Sequence, residues 1–134
     1  MVSEADVVST FPMMCQLWTH LKEDEYLEAV ERVRRSGYRM AVAVDRGCVR
    51  CVAGFRIQEY LYCGRHLYVD GLITDGSARS QGYGKRMLDW LTGIAREEEC
   101  GSLQLASGVQ RHEAHRFYFR KRMNISSYHF SKSL

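Results

Sequence analysis

The sequence predicts a single α/β domain with a mixed, mostly antiparallel central sheet, flanking helices and one parallel βαβ unit. Three observations support this class. A chain of 134 residues has the length of one ordinary domain, so we expect that domain to span 1–134. The spacing of apolar residues changes along the chain from the helical period to strand alternation. A strand, a helix and a second strand then follow one another closely, which requires a crossover between parallel strands.

The composition narrows the classes of function. Apolar residues make up 46% of the chain and charged residues 26%, which is typical of a globular domain and excludes a disordered one. The formal net charge of +3 suits a small anionic ligand and does not require a nucleic acid. No apolar run reaches the roughly 18 residues of a membrane helix, and the first residues lack the basic region of a secretory signal. Five scattered cysteines indicate a reduced protein, so we expect a cytoplasmic location and no contact with a membrane.

The first predicted element is a helix over residues 12–36. Gly37 is well placed to end it. Its apolar side chains recur at helical spacing opposite a charged side, and they include Tyr26, Leu27, Val30 and Val33.

Three runs with strand alternation follow, over residues 40–44, 49–57 and 67–73. Turns are predicted between them at residues 45–47 and 63–65, because each of these segments has a glycine beside an arginine. Turns this short join only antiparallel neighbours, so the three strands are expected to form an antiparallel meander.

A helix over 83–100 and a short strand over 102–107 come next and complete the βαβ unit with the strand 67–73. The last predicted elements are a helix over 112–122 and a closing strand over 125–132. The apolar stripe of the helix 83–100 consists of Met87, Leu88, Leu91, Ile94 and Ala95.

The segment that joins strand 67–73 to helix 83–100 combines several features that bind anions. Backbone N–H groups at a helix start have no intrahelical acceptor, and the helix dipole is positive there. Gly82 and Gly84 allow close approach of a ligand, and Arg79, Lys85 and Arg86 add positive charge. Spacing excludes two phosphate motifs, because Arg79 stands where a P-loop has its first glycine and Met87 where a dinucleotide motif has its third. A phosphate or pyrophosphate is the expected ligand.

Residues 79–84 read R-x-x-G-x-G, which resembles the [QR]-x-x-G-x-[GA] signature of the GNAT superfamily of N-acetyltransferases. Residues 69–74 resemble the strand before that signature, and residues 114–118 resemble the later A-x-x-F-Y helix. The resemblance covers residues 38–130 in the right order. It implies a GNAT-like sheet and acetyl-CoA as co-substrate. The positions that it assigns to the pyrophosphate are Arg79, Ser80, Gln81, Gly82, Tyr83, Gly84 and Lys85.

The same resemblance implies that the backbone of Leu72, Ile73 and Thr74 pairs with the pantetheine arm. A backbone N–H near Ile73 would then polarise the thioester carbonyl. Tyr118 takes the role of the acid that protonates the leaving thiolate. Its phenol has an ordinary pKa of about 10 and is protonated at neutral pH.

Two carboxylates are candidates for the base that takes the proton of the amine. Asp70 corresponds to a position where some family members carry a glutamate base, and strand alternation places it with Tyr68 and Leu72. Glu59 follows Ile57 at strand spacing on an otherwise apolar face. The residues leave open which of the two acts, and an ordered water without a single base is a further alternative.

Other patterns support weaker hypotheses. Cys48 and Cys51 are three apart on a strand and point to opposite faces, and His112 and His115 have no third ligand nearby, so no metal is expected. The basic and aromatic residues 116–122 lack the pattern of an RNA-binding strand, so no nucleic-acid partner is expected.

The sequence therefore predicts an enzyme that acetylates a primary amine of a small molecule or a peptide by direct attack in a ternary complex. A non-catalytic acyl-CoA-binding module on the same fold is the alternative, because fold alone does not fix function. Exposed strand ends are compatible with a homodimer.

Overall fold

A computed structural model describes residues 10–15, 19–75 and 81–134 of the chain. Residues 10–15 are helical. The elements that follow are α1 (Glu23–Arg34), β1 (Arg39–Asp45), β2 (Cys48–Tyr60), β3 (Gly64–Thr74), α2 (Tyr83–Glu97), β4 (Ser102–Leu105) and α3 (His112–Arg120).

The four strands form one sheet in the order β1-β2-β3-β4. β1 and β2 are antiparallel, as are β2 and β3, whereas β3 and β4 run parallel with α2 as their crossover. The predicted α/β class, the antiparallel meander and the βαβ unit are therefore confirmed.

The chain forms two compact units, Met1–Gln104 and Leu105–Leu134. The first contains α1, β1 to β3 and α2, and the second contains α3. The expectation of one domain over 1–134 stays a prediction. Within the described ranges, no helix has the length and apolarity needed to cross a membrane.

The two hairpin turns follow the local chemistry of the sequence. Arg46 and Gly47 both have positive φ, 53° and 76°, and join β1 to β2 in a two-residue turn. Positive φ at both positions gives the backbone twist that suits a tight hairpin, so the first predicted turn is confirmed. The second turn occupies residues 61–63, slightly before its predicted place, because β2 continues to Tyr60.

A β-bulge at Asp70 changes the faces of β3. Gly71 pairs with Gly54, but the next pair is Val69 with Phe55, so Asp70 has no partner of its own in β2. The extra residue reverses the alternation on one side of the bulge. The prediction that Asp70 shares a face with Leu72 is therefore wrong, whereas Tyr68 stays on the side of Asp70.

Apolar residues pack on both faces of the sheet. On the face that we call the α1 face, Val52 and Ile73 pack with Tyr26 and Val30 of α1 and with the buried methionines of the 10–15 helix. On the opposite face, the ring of Phe55 meets the edge of Trp90 of α2 with 6.3 Å between centroids. The predicted stripe of α2 is largely confirmed, since Met87, Leu88, Leu91 and Ala95 are buried and Ile94 is half-buried.

The helices α1, α2 and α3 end in the same backbone motif. In each case a residue with positive φ follows the helix within three positions. These residues are Gly37 after α1, Glu99 after α2 and Arg122 after α3. After α3, the N–H of Met123 donates to the carbonyl of Tyr118 at 3.1 Å, and the N–H of Arg122 donates to that of Phe119 at 3.0 Å. This is the pattern of a Schellman motif, in which glycine is the usual residue at the positive φ. The predicted stop at Gly37 is confirmed.

Several predicted helix and strand bounds are wrong, including the ends of the helix 83–100 and the strand 102–107, which stop at Glu97 and Leu105. Residues 19–22 are not helical, so the predicted helix 12–36 is interrupted before α1. α3 ends at Arg120, where the Schellman motif turns the chain. Residues 125–132 form no strand, and Tyr128 and Phe130 are exposed. Alternation alone predicted that strand, but a strand also needs a neighbour that accepts its backbone hydrogen bonds.

Candidate functional site

The start of α2 presents main-chain donors. Gly82 precedes the helix in the left-handed conformation, with φ 83° and ψ 11°, and its carbonyl accepts the first helical bond from Arg86 N–H at 3.0 Å. No side chain caps this helix start, and its first turn holds no acidic residue. The N–H groups of Tyr83, Gly84 and Lys85 precede the first intrahelical donor, so they face the approach to the helix.

Side chains fix this helix start against the sheet. Tyr83 is buried, and its hydroxyl donates to Asp45 Oδ2 at the end of β1 over 2.8 Å. That hydrogen bond is the main reason why the pKa of Tyr83 is raised. The guanidinium of Arg86 lies 5.0 Å from the ring of Tyr83 and donates to the carbonyl of Gln81 at 3.1 Å. Backbone and side chains therefore both hold Gln81 and Gly82 in place.

Of the remaining residues predicted to bind the pyrophosphate, two are described by the structure and two are not. Gln81 and Lys85 are exposed, and Lys85 Nζ lies 3.4 Å from Asp89 Oδ2 one turn along the helix. Arg79 and Ser80 lie outside the described residues.

The end of β3 extends past its neighbour β4. Gly101 N–H donates to the carbonyl of Arg65 at 2.8 Å, which sets β4 beside the start of β3. β4 is four residues long, whereas β3 continues to Thr74. Because parallel strands rise at nearly the same rate, β4 ends roughly level with Val69. Leu72, Ile73 and Thr74 therefore lie beyond the end of β4.

Hydrogen-bond alternation settles which of these backbone groups face outward. Asp75 N–H donates to the carbonyl of Arg50 in β2 at 2.9 Å. In an antiparallel pair every second residue directs its N–H to the same neighbour, so Ile73 also directs its N–H to β2. The N–H groups of Leu72 and Thr74 point the other way, and these are the ones a ligand along this edge would meet.

The bulge brings Asp70 into a polar group on the α1 face. Asp70 Oδ2 lies 3.5 Å from Arg56 Nε, and both side chains are about one quarter exposed, 27% and 23%. The negative charge of Asp70 also raises the pKa of Tyr38 and of Tyr68, in both cases after the larger effect of burial. We call Tyr38, Arg56, Tyr68 and Asp70 the Asp70 cluster.

Gly54 makes room for this cluster. Gly54 and Gly71 are cross-strand partners immediately beside the bulge. A Cβ on Gly54 would overlap the phenol of Tyr38, whose hydroxyl end lies nearest. Tyr38 itself is 7% exposed. A larger residue at position 54 would therefore displace the ring that borders Asp70.

The second candidate base lies elsewhere. Glu59 is exposed and stands opposite Arg65, near the tip of the β2–β3 hairpin. Arg65 and Asp70 are five residues apart along β3, which corresponds to about 16 Å of strand. The structure does not bring Glu59 and Asp70 together.

Tyr118, the predicted acid, belongs to α3 in the second compact unit. It is half-buried, and its ring lies 5.5 Å from that of Phe117. Burial raises the pKa of Tyr118, and the charge and hydrogen bond of Arg111 offset part of that rise. The phenol is therefore protonated at neutral pH, as a general acid must be.

Sequence reasoning missed Arg56. Arg56 pairs with Tyr68 across the two strands, so only the register of β2 against β3 reveals that Arg56 shares a face with the side chain of Asp70. The described residues contain no group of three histidine, cysteine or acidic side chains that could hold a metal ion.

Three features point to the class of protein. They are the mixed sheet, the helix that begins after a glycine following β3, and the edge of β3 that extends past β4. The chain matches the model of the acetyltransferase (GNAT) family over residues 6–124 and belongs to that family, so the predicted resemblance is confirmed. Among particular proteins, it is 34% identical over 134 residues to the "Uncharacterized N-acetyltransferase YhdJ" of Bacillus subtilis (strain 168). That alignment covers 98% of this chain and 94% of the relative.

Solved structures share the fold at lower sequence identity. A transcriptional regulator from Bacillus halodurans C-125 superposes with a TM-score of 0.88 at 22% identity, covering 98% of this chain and 95% of that one. The aminoglycoside N-acetyltransferase AAC(6')-Iy in complex with CoA superposes with a TM-score of 0.86 at 12% identity, covering 98% and 90%.

Proposed function

We propose that this protein transfers an acetyl group from acetyl-CoA to a primary amine, by direct attack within a ternary complex. The observation that carries the proposal is the start of α2, where Gly82 with φ 83° leads into a helix whose first turn has no side-chain cap and no acidic residue. An anion is the natural complement of such a helix start. Family membership supports acyl transfer as its use.

In this proposal the pyrophosphate binds the N–H groups at the start of α2, with Gln81, Lys85 and the preceding Arg79 and Ser80 around it. A related fold binds CoA, as the AAC(6')-Iy complex illustrates. The pantetheine arm runs along the edge of β3 and pairs with the outward backbone groups of Leu72 and Thr74. An outward N–H there donates to the thioester carbonyl and stabilises the oxyanion that forms on attack.

The chemistry then needs two proton transfers. The amine nitrogen forms a bond to the acetyl carbon, and the carbon–sulfur bond breaks. Asp70, directly or through a water, accepts the proton that the amine loses, and Tyr118 donates its phenolic proton to the leaving thiolate. Glu59 is the less favoured base, because it stands opposite Arg65, seven residues along β3 before Leu72, where the pantetheine arm is proposed to bind. After product release, Asp70 gives its proton to solvent and Tyr118 regains one from solvent.

The proposed acceptor is a small-molecule or peptide amine in the cytoplasm, with no nucleic-acid or membrane partner. The proposal keeps one domain over 1–134, and a homodimer is compatible with it.

Calorimetric titration with acetyl-CoA, followed by a free-thiol release assay over a panel of primary amines, tests the function. The proposal predicts both binding and amine-dependent thiol release. Binding without release across the panel would instead support the non-catalytic acyl-CoA-binding module. A steep salt dependence of DNA or RNA binding, without acetyl-CoA binding, would support a nucleic-acid protein.

A further inference from the structure

Only two of the three guanidinium nitrogens of Arg56 make the contacts that hold this side chain in place. Its Nε lies 3.5 Å from Asp70 Oδ2, and its Nη1 donates to Ser36 Oγ at 3.0 Å and to the Ser36 carbonyl at 3.4 Å. Among the described residues these contacts use Nε and Nη1, so the two N–H donors of Nη2 remain for another partner.

The position of this guanidinium is preorganised. Ser36 follows α1, and Asp70 is the bulged residue of β3, so two separate elements hold Arg56 from different sides. The guanidinium carbon also lies 5.8 Å from the centre of the Tyr38 ring. With 23% of its side chain exposed, Arg56 is reached by solvent and keeps a fixed orientation. Such an arginine binds a carboxylate with little loss of conformational entropy.

Arg56 and Asp70 present opposite charges a short distance apart. The separation of Nε and Oδ2 is 3.5 Å. The amino nitrogen and the carboxyl carbon of an α-amino acid are about 2.5 Å apart, as the standard N–Cα and Cα–C bond lengths require. A zwitterionic acceptor therefore matches the pair in charge, and its amino and carboxylate groups are close enough together to meet neighbouring side chains.

We propose that the acceptor carries an anionic group next to the amine that is acetylated, as an amino acid does. The inference rests on the proposed N-acetyltransferase function. The amine lies at Asp70, and the carboxylate accepts hydrogen bonds from Nη2 of Arg56. A polycationic acceptor would place a second positive charge beside Arg56 and is disfavoured.

Matched acceptor pairs that differ only in the carboxylate test this inference. The pairs are glycine and methylamine, L-phenylalanine and phenethylamine, and L-lysine and cadaverine, each assayed by thiol release with saturating acetyl-CoA. The expected kcat/KM is about tenfold to hundredfold higher for the amino acid in at least one pair, as one charge-assisted interaction provides.

The variant Arg56→Gln should bring this ratio close to one, mainly through KM for the amino acid, while Arg56→Lys retains part of the preference. Arg39→Gln is the matched control, because Arg39 is also on the sheet but pairs with Glu98 at 2.8 Å, away from Asp70. Calorimetry with acetyl-CoA confirms that each variant is folded.

The outcomes separate the two claims. Turnover of the simple amines at equal or higher efficiency would leave the proposed function standing and overturn the inference. An unchanged ratio in folded Arg56→Gln would also overturn it. Absence of turnover with every acceptor would contradict the proposed function, and the inference with it.

Discussion

The start of α2 and the Asp70 cluster differ in the chemical groups that they offer to a ligand. The start of α2 offers main-chain N–H groups, whose direction is set by the left-handed Gly82 and by the helix itself. The Asp70 cluster offers side chains, and their meeting depends on a bulge in β3 and on Gly54, which makes room for Tyr38. We infer that the first region recognises a feature common to all CoA thioesters, whereas the second selects the acceptor.

The largest expected effect comes from placing a negative charge at the α2 start. Gly82→Asp should lower CoA affinity by about 100-fold or more, because its carboxylate competes with the pyrophosphate for the N–H groups and repels it. Gly82→Asn is the control, since asparagine has nearly the same shape and also tolerates positive φ. Calorimetric titration with CoA measures both. Equal affinities for the two variants would contradict a phosphate site at this position.

The second effect concerns the proposed acid. Tyr118→Phe should lower kcat by about 100-fold, the usual contribution of general acid catalysis, and change the Kd for CoA by less than about threefold. Because the pKa of Tyr118 is raised above its ordinary value, its proton is retained as the pH rises to about 10. Wild-type kcat should therefore show no alkaline fall from this group below that pH. If the pre-steady-state rates of Tyr118→Phe equal those of the wild type from pH 7 to about 10, Tyr118 is not the general acid.

The third effect distinguishes the two candidate bases. Asp70→Asn should lower kcat/KM for the acceptor by roughly tenfold to 100-fold, because the amine loses its proton acceptor and its charge partner. Glu59→Gln, in the same sheet but opposite Arg65, should leave it within about twofold, as exposed surface changes usually do. Steady-state kinetics with varied amine measures both. The reverse ranking would move the acceptor site to the hairpin tip.

The smallest effect tests backbone chemistry away from either site. Arg122 adopts a φ of 62° after α3, where glycine is unstrained. Arg122→Gly should raise the free energy of unfolding by about 0.5–1 kcal/mol. Arg120→Gly, inside the helix, should lower it by about 1 kcal/mol. Denaturant unfolding measures the two, and a destabilised Arg122→Gly would contradict the description of this helix end.

These regions also differ in what the sequence could predict. The α2 start was predictable because glycine spacing between a strand and a helix is a local pattern. The partners of Asp70 were not, since the bulge that turns Asp70 toward Arg56 depends on the pairing of β2 with β3. Glu59 fits strand spacing as well as Asp70 does, and only the register of β2 against β3 shows that the two carboxylates lie apart. The closing strand over 125–132 failed for a related reason, because alternation does not supply a neighbouring strand.

The central claim is that the main chain at the start of α2 binds the pyrophosphate of CoA. Amide chemical shifts recorded during titration with CoA, and separately with pantetheine, test it most directly. We predict large shifts of the Tyr83, Gly84 and Lys85 amides with CoA and small ones with pantetheine, which lacks the phosphates. Saturable binding of CoA that leaves these three amides unmoved would contradict the claim.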